Sequence, residues 1–209
     1  MKIRIPSEVF LFAALTVLLL SAAGCHVQVQ KGANGEDKNV KVDTPFGGLH
    51  VRSDQTSAAD LGLPVYPGAQ VAPDHEGDKS ADVHMGFGQF QLRVKVVTYE
   101  TPDPQDKVLA YYKKAMGQFG GVIECDGSQP VGTPTATSEG LTCHEEHGHH
   151  INVNGRDFGD NDSGLTLRAG SRHHQHIVAF KSASSGTKYA MIELQIPNDF
   201  SSDSSKTSD

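Results

Sequence analysis

The chain has no tryptophan, and only 7% of its 209 residues are aromatic. With no Trp, the modest apolar fraction of 37% leaves room for long polar loops. Positive charge is short: 18 Lys and Arg stand against 25 Asp and Glu, a formal net charge of −7. That balance argues against nucleic acid as a partner and against a polybasic hold on anionic lipid. After Leu20 no stretch is apolar enough to cross a membrane. Several catalytic signatures are missing too. No Gly-x-Ser-x-Gly elbow occurs, and Gly86-Phe87-Gly88 precedes a strand pattern instead of opening a phosphate-binding helix.

The beginning of the chain is richer. Lys2 and Arg4 give a basic start, Val9 to Leu20 is an apolar run, and Ser21-Ala22-Ala23-Gly24 presents small side chains ahead of Cys25. This is the layout of a secretory signal peptide. The run is shorter than the roughly 20 residues of a spanning helix. Ala-Ala-Gly-Cys resembles the lipobox of bacterial lipoproteins, with Ala22 standing where the family usually carries Leu. The resemblance implies cleavage before Cys25, acylation of its thiol and amine, and a lipid bilayer as partner through Cys25. It places the protein outside the cytoplasm, on the cell envelope. A plain secretory signal cut near Gly24 is the alternative.

With Cys25 set aside for lipid, Cys125 and Cys143 remain as an even pair, read in an exported protein as a disulfide. The segment between them is loop-like in composition, and closing it is worth about 3 kcal/mol in the chain-entropy model. The competing reading makes Cys143 a metal thiolate beside His144.

Periodicity divides the rest. Residues 25–38 read as the lipidated cysteine and a polar tether, 39–58 as a hairpin segment around Thr44–Gly48, 59–197 as one domain, and 198–209 as a disordered tail. Strand patterns run through Val83–Phe87, Phe90–Tyr99, Val122–Cys125, Leu141–His144, Leu165–Arg168, Ile177–Lys181 and Tyr189–Ile196. One amphipathic helix, about 104–118, is marked by Val108, Tyr112, Ala115 and Phe119, with Asp103 as expected cap and Pro104 at its first position. The expected class is α+β: an antiparallel sheet of several short strands with this helix packed on a face.

Leu63-Pro64-Val65-Tyr66-Pro67-Gly68-Ala69, the start Thr101–Val108 leading into Tyr111-Tyr112, and Arg168–Ser171, His176–Val178 and Gly186-Thr187 together resemble an uncharacterised module of bacterial secreted proteins and lipoproteins. That resemblance spans about residues 60–196 and implies one domain, with no activity attached.

Most of the 11 histidines fall in two clusters, His144-Glu145-Glu146-His147-Gly148-His149-His150 and His173-His174-Gln175-His176. Neutral imidazole suits zinc, copper or nickel. His147 with His149, and His174 with His176, share a face if their segments are strands. Joined, the clusters offer His144, His147, His149, His150, His174 and His176 as ligands for a tetrahedral site. The two histidines of His-Glu-Glu-His are three apart, against the four of the helical zinc-protease motif. Asp157–Ser163 alternates oxygen-bearing side chains but lacks the order of a calcium loop and reads as a polar turn. No constellation for catalysis stands out, and no cofactor is called for. The first functional reading is a non-catalytic envelope lipoprotein, a binding or scaffolding module. The alternative is a lipoprotein binding zinc, copper or nickel through its histidine clusters.

Overall fold

The computed structural model of the chain describes residues 25–32, 37–72, 79–143, 151–153, 156–158, 164–181 and 185–197. Its strands are β1 (His26–Lys31), β2 (Asp37–Thr44), β3 (Gly47–Ser53), β4 (Gln70–Val71), β5 (Ser80–Phe87), β6 (Phe90–Thr101), β7 (Val122–Asp126), β8 (Gln129–Pro130), β9 (Ile151–Val153), β10 (Arg156–Phe158), β11 (Leu165–Ser171), β12 (His174–Lys181) and β13 (Thr187–Gln195). One α-helix, α1 (Gln105–Met116), lies between β6 and β7, and short 3-10 turns occupy Ala58–Leu61 and Gly117–Phe119.

The α+β expectation is overturned. Strands take 54% of the described residues, and α1 is 12 residues long. The protein is mostly antiparallel β. Its main sheet has 11 strands in the order β1-β2-β3-β5-β6-β13-β12-β11-β7-β8, with β4 extending the β5 side of β6. The hairpin segment and the domain, read separately in the sequence, share this one sheet. β3 pairs with β5 from Gly47↔Phe87 to Ser53↔Ala81, and β13 joins β6 from Thr187↔Thr101 to Gln195↔Arg93. The stretch read as a tether is not all tether: β1 pairs with β2 from His26↔Asp43 onward.

Alternation along the central strands gives the sheet two apolar surfaces. On one, Val94 and Val96 of β6 meet Ala190, Ile192 and Leu194 of β13. On the other, Val97, Tyr99, Leu167, Val178, Tyr189 and Met191 pack under α1 and the segment Ala58–Tyr66. Val108, Tyr112 and Met116 of α1, spaced four apart on one helical face, are fully buried there. Each such side chain contributes about 1.5–3 kcal/mol of gross burial. The expected cap does not form. Pro104 is the N-cap residue, with its carbonyl accepting from Lys107 N–H at 3.1 Å. Asp103 is engaged elsewhere, accepting the Tyr66 hydroxyl at 2.8 Å.

All five tyrosines of the chain meet beside α1. Tyr112 Oη accepts from Tyr66 N–H and reaches the Pro64 carbonyl, both at 3.2 Å, and lies 3.1 Å from Tyr189 Oη. The Tyr111 hydroxyl donates to the Val65 carbonyl at 3.2 Å. The Leu63–Ala69 motif and the Tyr111-Tyr112 helix thus form one structural clamp. The inward-turned backbone groups of the extended segment find phenols as partners. Burial raises the Tyr112 hydroxyl far above its ordinary range and pushes Tyr189 up to about 12, so both stay protonated donors.

Cys125 and Cys143 are bridged, as expected, with Cα atoms 5.6 Å apart. The bridge is packed with Ile123 and Leu141. Leu141–Cys143 forms an isolated bridge, Ala136↔Thr142, in place of the expected strand.

Candidate functional site: a charged sheet face with a histidine cleft

Beyond the reach of α1, the face that carries the main core changes character. Following the odd positions of β6 from Tyr99 and Val97 leads to Lys95 and then Arg93. On β13, Tyr189 and Met191 give way to Glu193 and Gln195. The same face holds His174 and His176 on β12, Asp82 and His84 on β5, and His50 and Arg52 on β3. A band of charge therefore crosses five adjacent strands.

Its anchor points are half-buried ion pairs. Lys95 Nζ donates to Glu193 Oε2 at 2.7 Å and to the Asp60 carbonyl at 2.8 Å. Asp60 is held in place by the N–H and hydroxyl of Ser57, at 2.8 and 2.6 Å. The second oxygen of Glu193 accepts from His174 Nε2 at 2.9 Å and Gln195 Nε2 at 2.8 Å. Burial would raise the Glu193 carboxyl, but the hydrogen bonds from Lys95, His174 and Gln195 together outweigh it and hold the group at about 2. Nearby on the same face, Arg93 grips Asp82 through Nε at 3.0 Å and Nη2 at 2.8 Å, with Arg52 at 3.5 Å. The two-pronged geometry is the strong form of this interaction.

A cleft of about 380 Å³ opens beside Glu193, lined among others by Asp60, Phe119, Glu139, His174 and His176. The His176 ring lies flat on Phe119, centroids 3.5 Å apart and planes within 6°. It is buried, and its Nδ1 has no hydrogen-bond partner. Desolvation, helped by the neighbouring His174, lowers its pKa to about 4, against the pull of Glu193. His176 is neutral at physiological pH. A smaller cavity of about 170 Å³, lined by Arg52, Asp82, Arg93 and Lys95, sits across Asp60.

Of the expected metal ligands, His174 and His176 do share a face, with ring centroids 4.9 Å apart. Their rings are engaged by Glu193 and Phe119, and among the described residues no three His, Cys, Asp or Glu side chains are grouped to hold a metal ion. His144, His147, His149 and His150 lie outside the described residues. The thiolate reading of Cys143 falls with its disulfide. Of Asp157–Ser163, Asp157 and Phe158 belong to β10, paired with β9, and the remainder lies outside the described residues. Cys25 is exposed with a free thiol, directly ahead of β1.

Sequence reasoning misses Lys95, Glu193, Asp82 and Arg93. A signal exists for Glu193: a carboxylate inside Ala190-Met191-Ile192-Glu193-Leu194 is a charge in a strand otherwise buried on both faces, which demands a partner. No protein-family model, curated protein or solved structure matches the chain. No helix among the described residues is long and apolar enough to cross a membrane.

Proposed function

We propose that this protein is a lipoprotein of the bacterial cell envelope, exported and held on a bilayer by acyl chains on Cys25, with its β-domain acting as a non-catalytic binding or scaffolding module. The observation that carries the reading is the state of the three cysteines. Two are buried in a disulfide; the third is exposed, at the position a lipobox requires, after a basic and apolar leader. Each buried acyl CH2 adds about 0.8 kcal/mol of membrane affinity, so two or three chains are enough to hold a protein on a bilayer without a spanning segment.

The non-catalytic part of the reading is supported by the tuning of the cleft. A general acid or base works best with its pKa near the working pH. Here Glu193 stays ionised, near 2, and His176 stays neutral, near 4. These two groups offer a ligand fixed charge and hydrogen bonding.

Intact mass and membrane fractionation test the anchor. The native protein should sediment with membranes and carry the added mass of a diacylglyceryl group and an amide-linked chain on Cys25. Cys25→Ser should carry neither. An unmodified Cys25 in the native protein overturns the reading.

A further inference from the structure

We propose that two hairpin tips, Thr44–Gly48 and Gly86–Gln91, rest on the same bilayer that holds Cys25, so that the domain stands on the membrane in one orientation. The inference rests on the lipid-anchor reading and adds a contact surface to it.

Register brings the tips to the anchor. His26 pairs with Asp43, so Cys25 comes level with Thr44, where the chain turns into β3. Gly47 pairs in turn with Phe87, where β5 turns into β6 through Gly88 and Gln89. Gly88 has φ +58°, a value glycine adopts freely, and the turn is accordingly tight. Cys25 and both tips therefore lie at one end of the sheet, with no intervening tether.

The chemistry of that end differs from the rest of the surface. Charged residues make up 21% of the chain, yet neither tip contains one. Their side chains can enter the headgroup region with no ion to desolvate. Phe46 is 83% exposed, and Phe87 beside it 46%. On β1, immediately after Cys25, Val27 and Val29 are exposed as well. Full burial of a Phe side chain gains about 1.5–3 kcal/mol. Two at one end are too few to bind a membrane from solution. Once acyl chains hold Cys25 at the surface, the contact becomes intramolecular and the same energy suffices to set the tilt.

The absence of tryptophan supplies the test. Full-length acylated Phe46→Trp and Phe87→Trp proteins are reconstituted into phosphatidylethanolamine–phosphatidylglycerol vesicles with or without brominated acyl chains. Val71→Trp is the control: Val71 is similarly exposed, at 44%, but pairs with Tyr99 toward the opposite end of β6. Flotation reports anchoring independently of fluorescence. Side chains at the headgroup–acyl boundary should lose emission to bromine. Floating protein that shows this quenching in the Phe46→Trp and Phe87→Trp variants, with the Val71→Trp variant unchanged, supports the proposal. Floating protein with no quenching at either tip overturns the contact and leaves the anchor standing. A blue shift that grows with protein density and ignores bromine assigns the tips to a second copy of the chain and also overturns it. Protein that fails to float, with an unmodified Cys25, removes the anchor and the contact together.

Discussion

A single hydroxyl on Tyr112 serves four neighbours: the Tyr66 amide, the Pro64 carbonyl, the Tyr189 phenol and the Met191 sulfur. Tyr112→Phe keeps the ring and its packing but leaves these buried groups short of a partner. We expect a loss of about 1–3 kcal/mol in urea unfolding. Tyr111→Phe, which gives up one bond to the Val65 carbonyl at the surface, should lose about 0.5–1 kcal/mol. The clamp gives no hint of itself beyond the recurrence of Tyr and Pro, because periodicity reports which face is buried and carries nothing about what a buried phenol touches. The cleft makes a prediction at the same scale. His176 has its pKa lowered from 6.5 to about 4 and Glu193 from 4.5 to about 2. In both, the folded state binds fewer protons than the unfolded one inside its window. Stability contributed by His176 is present above pH 6.5 and is lost as pH falls toward 4; that of Glu193 is lost between 4.5 and 2. The melting temperature should therefore decline steadily below pH 6.5. His176→Phe, still stacked on Phe119, should flatten the profile between pH 6.5 and 4 and leave the lower limb intact, as followed by circular dichroism.

The elements read well wherever one face is buried, since there a polar–apolar alternation is forced by the pleat. The β2–β3 and β5–β6 hairpins, β13 and the apolar stripe of α1 are all legible for this reason. β1 escapes notice although His26-Val27-Gln28-Val29-Gln30-Lys31 alternates cleanly. Its valines face solvent, and the polar composition with the nearby glycines reads as linker. Asp103 passes for a helix cap because a capping residue and a tyrosine-binding residue look the same in one dimension. The disulfide is legible by counting. Cys125→Ala with Cys143→Ala should lower stability by about 3 kcal/mol, measured by denaturant unfolding. An unchanged midpoint would mean that the packing of Ile123 and Leu141 alone orders the segment.

At the scale of the whole molecule, the strands are visible in the sequence and the sheet is hidden. The order strand-strand-helix-strand-strand suggests a small sheet under a helix. Joining β3 to β5 and β13 to β6 sums the same strands into 11, and one 12-residue helix then covers only part of one face. The uncovered part is the charged band. Its key pair, Lys95 with Glu193, is separated by 98 positions, and no local pattern can announce such a partner. Charge at those positions is plain to read; its pairing is not. The place of Cys25 at the head of a paired edge strand has a mechanical side. A pull on that residue along the axis of β1 loads the β1–β2 hydrogen bonds in shear, all at once, where a pull across the sheet would peel them singly. The ladder thus resists rupture as a unit, and a force applied at Cys25 is spread over the whole strand before any one bond gives way.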